Sequence, residues 1–69
     1  MPTIMQTVAA NVKRIRKVKG LTQQALADKA KVTDAYIAML ETGVRTNPTN
    51  DTLKKLAKAL KVPVAELLE

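Results

Sequence analysis

The feature that most constrains this chain is a junction. Two segments with helical periodicity are joined by only three residues, Lys31-Val32-Thr33. Thr22 and Thr33 each stand where a helix begins, and a threonine hydroxyl there accepts from an unpaired N–H of the first turn. The helix after Thr22 runs Gln23 to Ala30, with Leu26 and Ala30 on one face. Only half of a capping box is present, because Ala25 occupies the place where Glu or Gln would reciprocate. The helix after Thr33 opens with Asp34, an acid at the positive end of the dipole. It runs through Ile37 and Leu40 to Glu41 and stops at Gly43. Helices joined this tightly must cross steeply. Ala27 is the small residue that such a crossing needs, and Leu26, Ala30, Val32, Ile37 and Leu40 supply a shared core. Spacing alone fits a DNA-binding helix-turn-helix and also an ordinary helical hairpin.

The rest of the chain is helical too. Ile4, Val8, Val12 and Ile15 recur at intervals of 4, 4 and 3, which is one face of a helix. Gly20 ends that helix, since glycine takes the left-handed conformation readily. Residues 44–49 read as a loop. Thr49 or Asn50 then caps a fourth helix with Leu53, Leu56, Ala57 and Leu60 on one face and Lys54, Lys55 and Lys58 on the other. Residues 61 and 62 break it, and Pro63 suits the first turn of a short fifth helix, Val64 to Leu68. The predicted fold is all-α, a compact five-helix bundle filling residues 1–69 as a single domain. At this size one core barely offsets conformational entropy, which runs at roughly 1.5 kcal/mol per ordered residue. Compact packing supported by a dimer contact is therefore expected.

Composition removes whole classes of function. The 69 residues contain no Cys, no His, no Trp and no Phe, and Tyr36 is the sole aromatic. Zinc fingers, haem sites, Cys–His nucleophile pairs and disulfide frameworks are excluded. Single-strand and sheet-based RNA binders need aromatic platforms, so they are disfavoured. No acid–base or nucleophile constellation can be recognised, and an enzyme is not expected. Neither is a metal, a cofactor or a small-molecule ligand. No apolar run approaches the roughly 18 residues of a membrane span, and no signal peptide is visible. A soluble, cytoplasmic protein without a membrane partner is expected.

Twelve Lys and Arg stand against 6 Asp and Glu, for a net charge of +6. Lys13, Arg14, Arg16, Lys17 and Lys19 fall within seven residues, Lys29, Lys31 and Arg45 follow, and Glu66 and Glu69 lie at the far end. Such an excess serves as a solvated surface or as a footprint for a polyanion.

The stretches Arg16-Lys-Val-Lys-Gly-Leu-Thr-Gln-Gln-Ala-Leu-Ala and Val32-Thr-Asp-Ala-Tyr-Ile-Ala-Met-Leu-Glu-Thr-Gly43 resemble the phage repressor and Cro (XRE-type) helix-turn-helix family. The tail from Thr52 to Leu68 resembles that family's fourth and fifth helices, so the resemblance runs from about Val8 to Leu68. It implies a sequence-specific regulator of transcription that binds double-stranded DNA. Its recognition helix, residues 34–41, would enter the major groove, and a homodimer would read a pseudo-palindromic operator. The domain would then be the whole regulator. An interaction module of the same fold, such as an antitoxin holding a toxin, is the alternative.

The resemblance also assigns roles. Gln23, at a helix start, would reach a phosphate, or else be a plain surface residue. Asp34, Ala35 and Met39 would face base edges, with Thr33 and Tyr36 nearer the backbone. None of these is the Arg, Gln or Asn that reads G or A bidentately. Asp34 suits a cytosine amine and equally a mere helix-start acid, while Ala35 and Met39 suit thymine methyls. Specificity would then lean on DNA shape. Arg16 and Glu41 align with an ion pair between the first and third helices, or are independent surface charges. Thr42 and Arg45, with Thr46 and Asn47, would meet phosphates. Lys31 and Lys61 stand where many members of the family have glycine, so each takes a left-handed backbone or its turn differs, and Lys31 would offset this by reaching a phosphate. Lys54, Lys55 and Lys58 would face solvent. Val62, Val64, Leu67 and Leu68 are many apolar groups for a short tail. Some would complete the core, and the remainder would form the dimer patch.

Overall fold

In the computed structural model, which describes residues 4–43 and 48–69, the amphipathic first segment forms α1, Ile4–Val18. Val8, Val12 and Ile15 are buried along it, as their spacing requires. The buried stripe is wider than the apolar pattern, because Ala9, Asn11 and Arg16 are buried as well. The four elements that follow are α2 (Gln23–Ala30), α3 (Asp34–Thr42), α4 (Asn50–Leu60) and α5 (Ala65–Leu68). No strand occurs among the described residues.

Threonine starts three of these helices in the same way. Thr22, Thr33 and Thr49 hold extended backbone, and each hydroxyl accepts from the N–H three residues on, at Ala25, Tyr36 and Thr52. Of the two candidates for the fourth cap, the structure uses Thr49. α5 begins one residue later than the sequence pattern suggested. Val64 takes its N-cap position without a side-chain bond, and the Pro63 carbonyl accepts from Glu66.

Three helices also end alike. Gly20, Lys31 and Lys61 adopt φ of 72°, 59° and 58°. In each case the next residue donates to a carbonyl one turn back: Leu21 to Arg16, Val32 to Ala27, and Val62 to Ala57, all at 3.0 Å. The side chains of Leu21, Val32 and Val62 then pack on the core, the contact that accompanies this C-terminal motif. Lys31 and Lys61 therefore keep the left-handed turn rather than alter it. Relative to glycine, a side chain there costs roughly 1 kcal/mol, because Cβ crowds the following carbonyl.

Leu26, Ile37, Leu40, Leu56, Leu60 and Leu67 form the largest fully buried part of the core, with Val8 and Val12 beside them. α2 packs against both α3 and α4, and α1 bridges α3 and α5. Leu67 corrects one expectation. It is fully buried, so it completes the core and is unavailable to a partner. α5 is fastened from below by Asn11, whose buried amide donates to the Leu67 carbonyl at 3.1 Å. Arg14 in turn donates to Asn11 Oδ1 at 3.3 Å. The buried amide is thus satisfied at both ends, which is what its burial requires.

Candidate nucleic-acid interface

α2 packs against α3 and leaves one face of α3 uncovered. Asp34, Ala35, Met39 and Thr42 are exposed on it, and Met39 keeps 48% of its surface in water despite being apolar. Local bonds already engage two of these residues. The Asp34 carboxylate accepts from the Ala35 N–H at 2.8 Å, so it acts as a helix-start acid while remaining exposed. The Thr42 hydroxyl donates to the Met39 carbonyl at 2.9 Å. The Thr33 hydroxyl is occupied by the Tyr36 N–H at 3.1 Å.

Tyr36 is placed differently from the rest of the set. It is half-buried and packs against the core. Burial pushes its phenol above the ordinary value, and the nearby Thr52 side chain of α4 acts the other way. Its ring therefore faces the core rather than standing free on the α3 face. Arg45, with Thr46 and Asn47, lies outside the described residues.

The uncovered face is held in place by one carboxylate. Arg16 on α1 donates to Glu41 on α3 through Nε at 2.5 Å and Nη2 at 3.0 Å. Its Nη1 donates to the Leu21 carbonyl at 2.7 Å. Gln23 at the start of α2 adds Nε2 to Glu41 Oε1 at 3.2 Å. Side chains of α1 and α2 thus converge on Glu41 of α3, and Arg16 ties the α1–α2 turn to the same joint. The two side chains of the ion pair keep only 10% and 3% of their surface in water. Burial pushes the Glu41 carboxyl up. The bonds from Arg16 and Gln23 and the charges of Arg16 and Lys13 outweigh it, so its pKa falls below the usual carboxylate value. Its bond to Glu41 raises the Arg16 guanidinium, against the opposing effect of burial.

Gln23 consequently has a double position. One amide hydrogen goes to Glu41, which leaves the second hydrogen and Oε1 for another partner. The backbone N–H groups of Gln23 and Gln24 belong to a first turn and lack intrahelical acceptors. Between them and α3 lies a shallow depression lined by Arg16, Thr22, Gln23, Gln24, Asp34, Ala35 and Ala38. The structure therefore brings Gln23, Asp34 and Ala35 together, with Met39 and Thr42 further along the same helix. Gln24, Ala38 and Lys13 have no assigned site role in the sequence reading. Ala38 follows Ala35 by three residues and so shares its stripe, and Lys13 precedes Arg16 by three, a signal that was available. Lys31 lies at the other end of α2, about 12 Å of helix from Gln23.

A profile described as helix-turn-helix (HTH_3) matches residues 12–67. The chain belongs to the HTH_3 helix-turn-helix family. Within that family, it is 36% identical over 62 residues to the HTH-type transcriptional regulator SinR of Bacillus subtilis (strain 168), covering 90% of this chain and 56% of SinR. It is 43% identical over 61 residues to the uncharacterized HTH-type transcriptional regulator y4dJ of Sinorhizobium fredii (strain NBRC 101917 / NGR234), covering 88% of this chain and 78% of y4dJ. The crystal structure of SinR, the master regulator for biofilm formation, in complex with DNA superposes with a TM-score of 0.85 and 35% identity. That match covers 90% of this chain and 98% of the other. The chain thus spans a little over half of SinR's length. HTH_3 membership decides between the two structures that spacing left open, in favour of the helix-turn-helix.

Proposed function

We propose that this chain is a DNA-binding regulator of transcription that reads double-stranded DNA with α3 in the major groove. One observation carries the reading. The exposed face of α3 stands beside the open first turn of α2, and both are fixed to α1 by the Arg16–Glu41–Gln23 network. A duplex needs this combination, because phosphate contacts set the register and side chains in the groove read the bases. Gln23 and the N–H groups at the start of α2 take a phosphate. Ala35 and Met39 meet base edges, with Asp34 beside them and Thr33 and Thr42 flanking. Arg45 reaches the backbone. Tyr36, packed inward against the core, stands nearer the DNA backbone.

The reading carries several corollaries. Residues 1–69 act as one DNA-binding domain, pairing into a homodimer through Val62, Val64 and Leu68 on a two-fold operator. The work is done in the cytoplasm, by binding and not by catalysis. The relatives' names give no support to an interaction module in place of a DNA binder. Among the described residues no helix is long and apolar enough to cross a membrane.

The experiment is duplex binding across a salt series, with the DNA upstream of the coding gene against random sequence. A steep salt slope with clear preference for the upstream DNA is expected. A slope without preference would leave only non-specific binding and overturn the reading. Sedimentation that finds only monomer at high micromolar concentration would remove the homodimer.

A further inference from the structure

We infer that a groove between α2 and α4 is a docking site for an acidic, amphipathic segment of a partner protein, separate from the DNA-reading face. Lys29, Lys31, Lys55, Lys58 and Lys61 line this groove. They are five of the chain's 12 cations, and among the described residues none of them makes an ion pair. Like charges gathered without counter-charges repel one another, so the cluster is unfavourable for the folded domain alone.

Two of the five make the point more sharply. Lys31 and Lys61 are the only described non-glycine residues with positive φ, and both open onto this groove. Each ends its helix in a turn that glycine would make with less strain. Gly20 ends α1 in the same turn and lines neither depression. Strained lysines thus occur twice, at the ends of two different helices, on one rim.

The chemistry of the groove selects its occupant. Its floor is apolar, formed by Ala30 and Ala59, and lysine stems extend it while their ammonium heads stay in water. The N–H groups of Lys31 and Lys61 are already bonded within their turns, so no backbone nest is left for a phosphate. No arginine lines the groove, and arginine is the side chain that grips phosphate bidentately. A DNA backbone presents a convex row of phosphates and gains nothing from an alanine floor. A segment carrying carboxylates on one side and aliphatic groups on the other satisfies both rim and floor. The groove also lies at the opposite end of α2 from Gln23, so a partner seated there leaves α3 free.

The test titrates the full chain with a fluorescein-labelled peptide of alternating Glu and Leu, read by anisotropy at low salt. In parallel it is titrated with a random-sequence duplex. Saturable peptide binding that weakens with salt is expected. Lys55→Gln with Lys58→Gln should weaken the peptide about fivefold and change duplex affinity by less than about twofold. Lys31→Gly with Lys61→Gly relieves backbone strain and so keeps the fold, and it should weaken the peptide by a similar factor. Three outcomes overturn the inference. One is peptide affinity unchanged in both variants. Another is equal loss for peptide and duplex in the Lys55/Lys58 variant, which assigns the groove to DNA. The third is equal binding of a Glu-Ser peptide, which removes the role of the apolar floor.

Discussion

α3 and α4 are built alike at their starts and oppositely on their faces. Each begins with a threonine cap and an acid in the first turn, and each buries leucine against the same core. α4 turns Lys54, Lys55 and Lys58 to solvent, whereas α3 exposes one acid, one alanine, a methionine and a threonine. The helix proposed to read bases therefore carries only acids, Asp34 and Glu41, and the helix behind it sets three lysines against one aspartate. A basic excess alone would have pointed to the wrong helix. What distinguishes α3 is its placement, held by a buried ion pair at one end and by Tyr36 along its length, next to the open turn of α2.

That contrast is broken most severely at Glu41. Glu41→Ala leaves the Arg16 guanidinium buried without its carboxylate, which costs about 3–5 kcal/mol. Lys58→Ala on α4 should stay within about 0.5 kcal/mol, as an exposed substitution does. Denaturant titration of the two variants measures the difference. Comparable losses would mean that the joint has no special role in holding α3.

The same carboxylate sets an acid limit. Its pKa is held below the ordinary value, about 4.3 in an unfolded chain. The folded state therefore binds its proton less readily than the unfolded state. The resulting stability is fully present above the unfolded pKa and is lost as pH falls through the folded one. Wild type should lose stability over that window by more than Glu41→Gln does, followed by helical circular dichroism against pH. Parallel acid curves would show that Glu41 is not the group responsible.

Base reading separates the two helices next. Ala35→Ser or Met39→Ala should re-rank operator variants by about 1–3 kcal/mol at individual base pairs. Lys54→Gln should leave the ranking as it is. Gln23→Ala should weaken every duplex about uniformly, because a phosphate contact carries no sequence information. A binding screen over randomised operators distinguishes the patterns, and an unchanged ranking for Met39→Ala removes it from the base contacts.

How far these positions were legible in the sequence depends on the kind of signal. The helix starts were written in Thr22, Thr33 and Thr49, because a cap is a local rule. The core face of α1 was written in Val8, Val12 and Ile15, because the helical period is local too. The Arg16–Glu41 contact joins residues 25 apart, and only the resemblance to repressors proposed it. That Gln23 joins the same carboxylate was not legible, since either a solvent-facing or an inward amide fits a helix start. Leu67 and Leu68 look alike in sequence, yet one is fully buried and the other 45% exposed. Where so short a helix sits against α1 is settled by the long-range bond from Asn11. The lysine groove was illegible for the same reason. Lys29 and Lys31 come from one part of the chain and Lys55, Lys58 and Lys61 from another, and only the packing of α2 on α4 brings them together.

The smallest effect gives the cleanest comparison. Thr33→Ala and Thr49→Ala each delete one cap bond, to Tyr36 and to Thr52 at 3.1 and 3.2 Å, and Thr49→Ala also deletes an exposed hydroxyl bond to Thr52. Each should cost about 1 kcal/mol of stability, or about 4–8 °C in Tm for a domain of this size. Because Thr49→Ala loses at least as much as Thr33→Ala, fraying of a helix start and general destabilisation cannot by themselves produce a larger effect in Thr33→Ala. DNA affinity, measured well below either Tm, should then fall for Thr33→Ala and hold for Thr49→Ala. Thr33 precedes the residues proposed to meet the duplex, and Thr49 begins the helix behind them. Equal affinities in the two variants would mean that the start of α3 does not touch DNA. The interface would then have to move along α3 toward Met39 and Thr42.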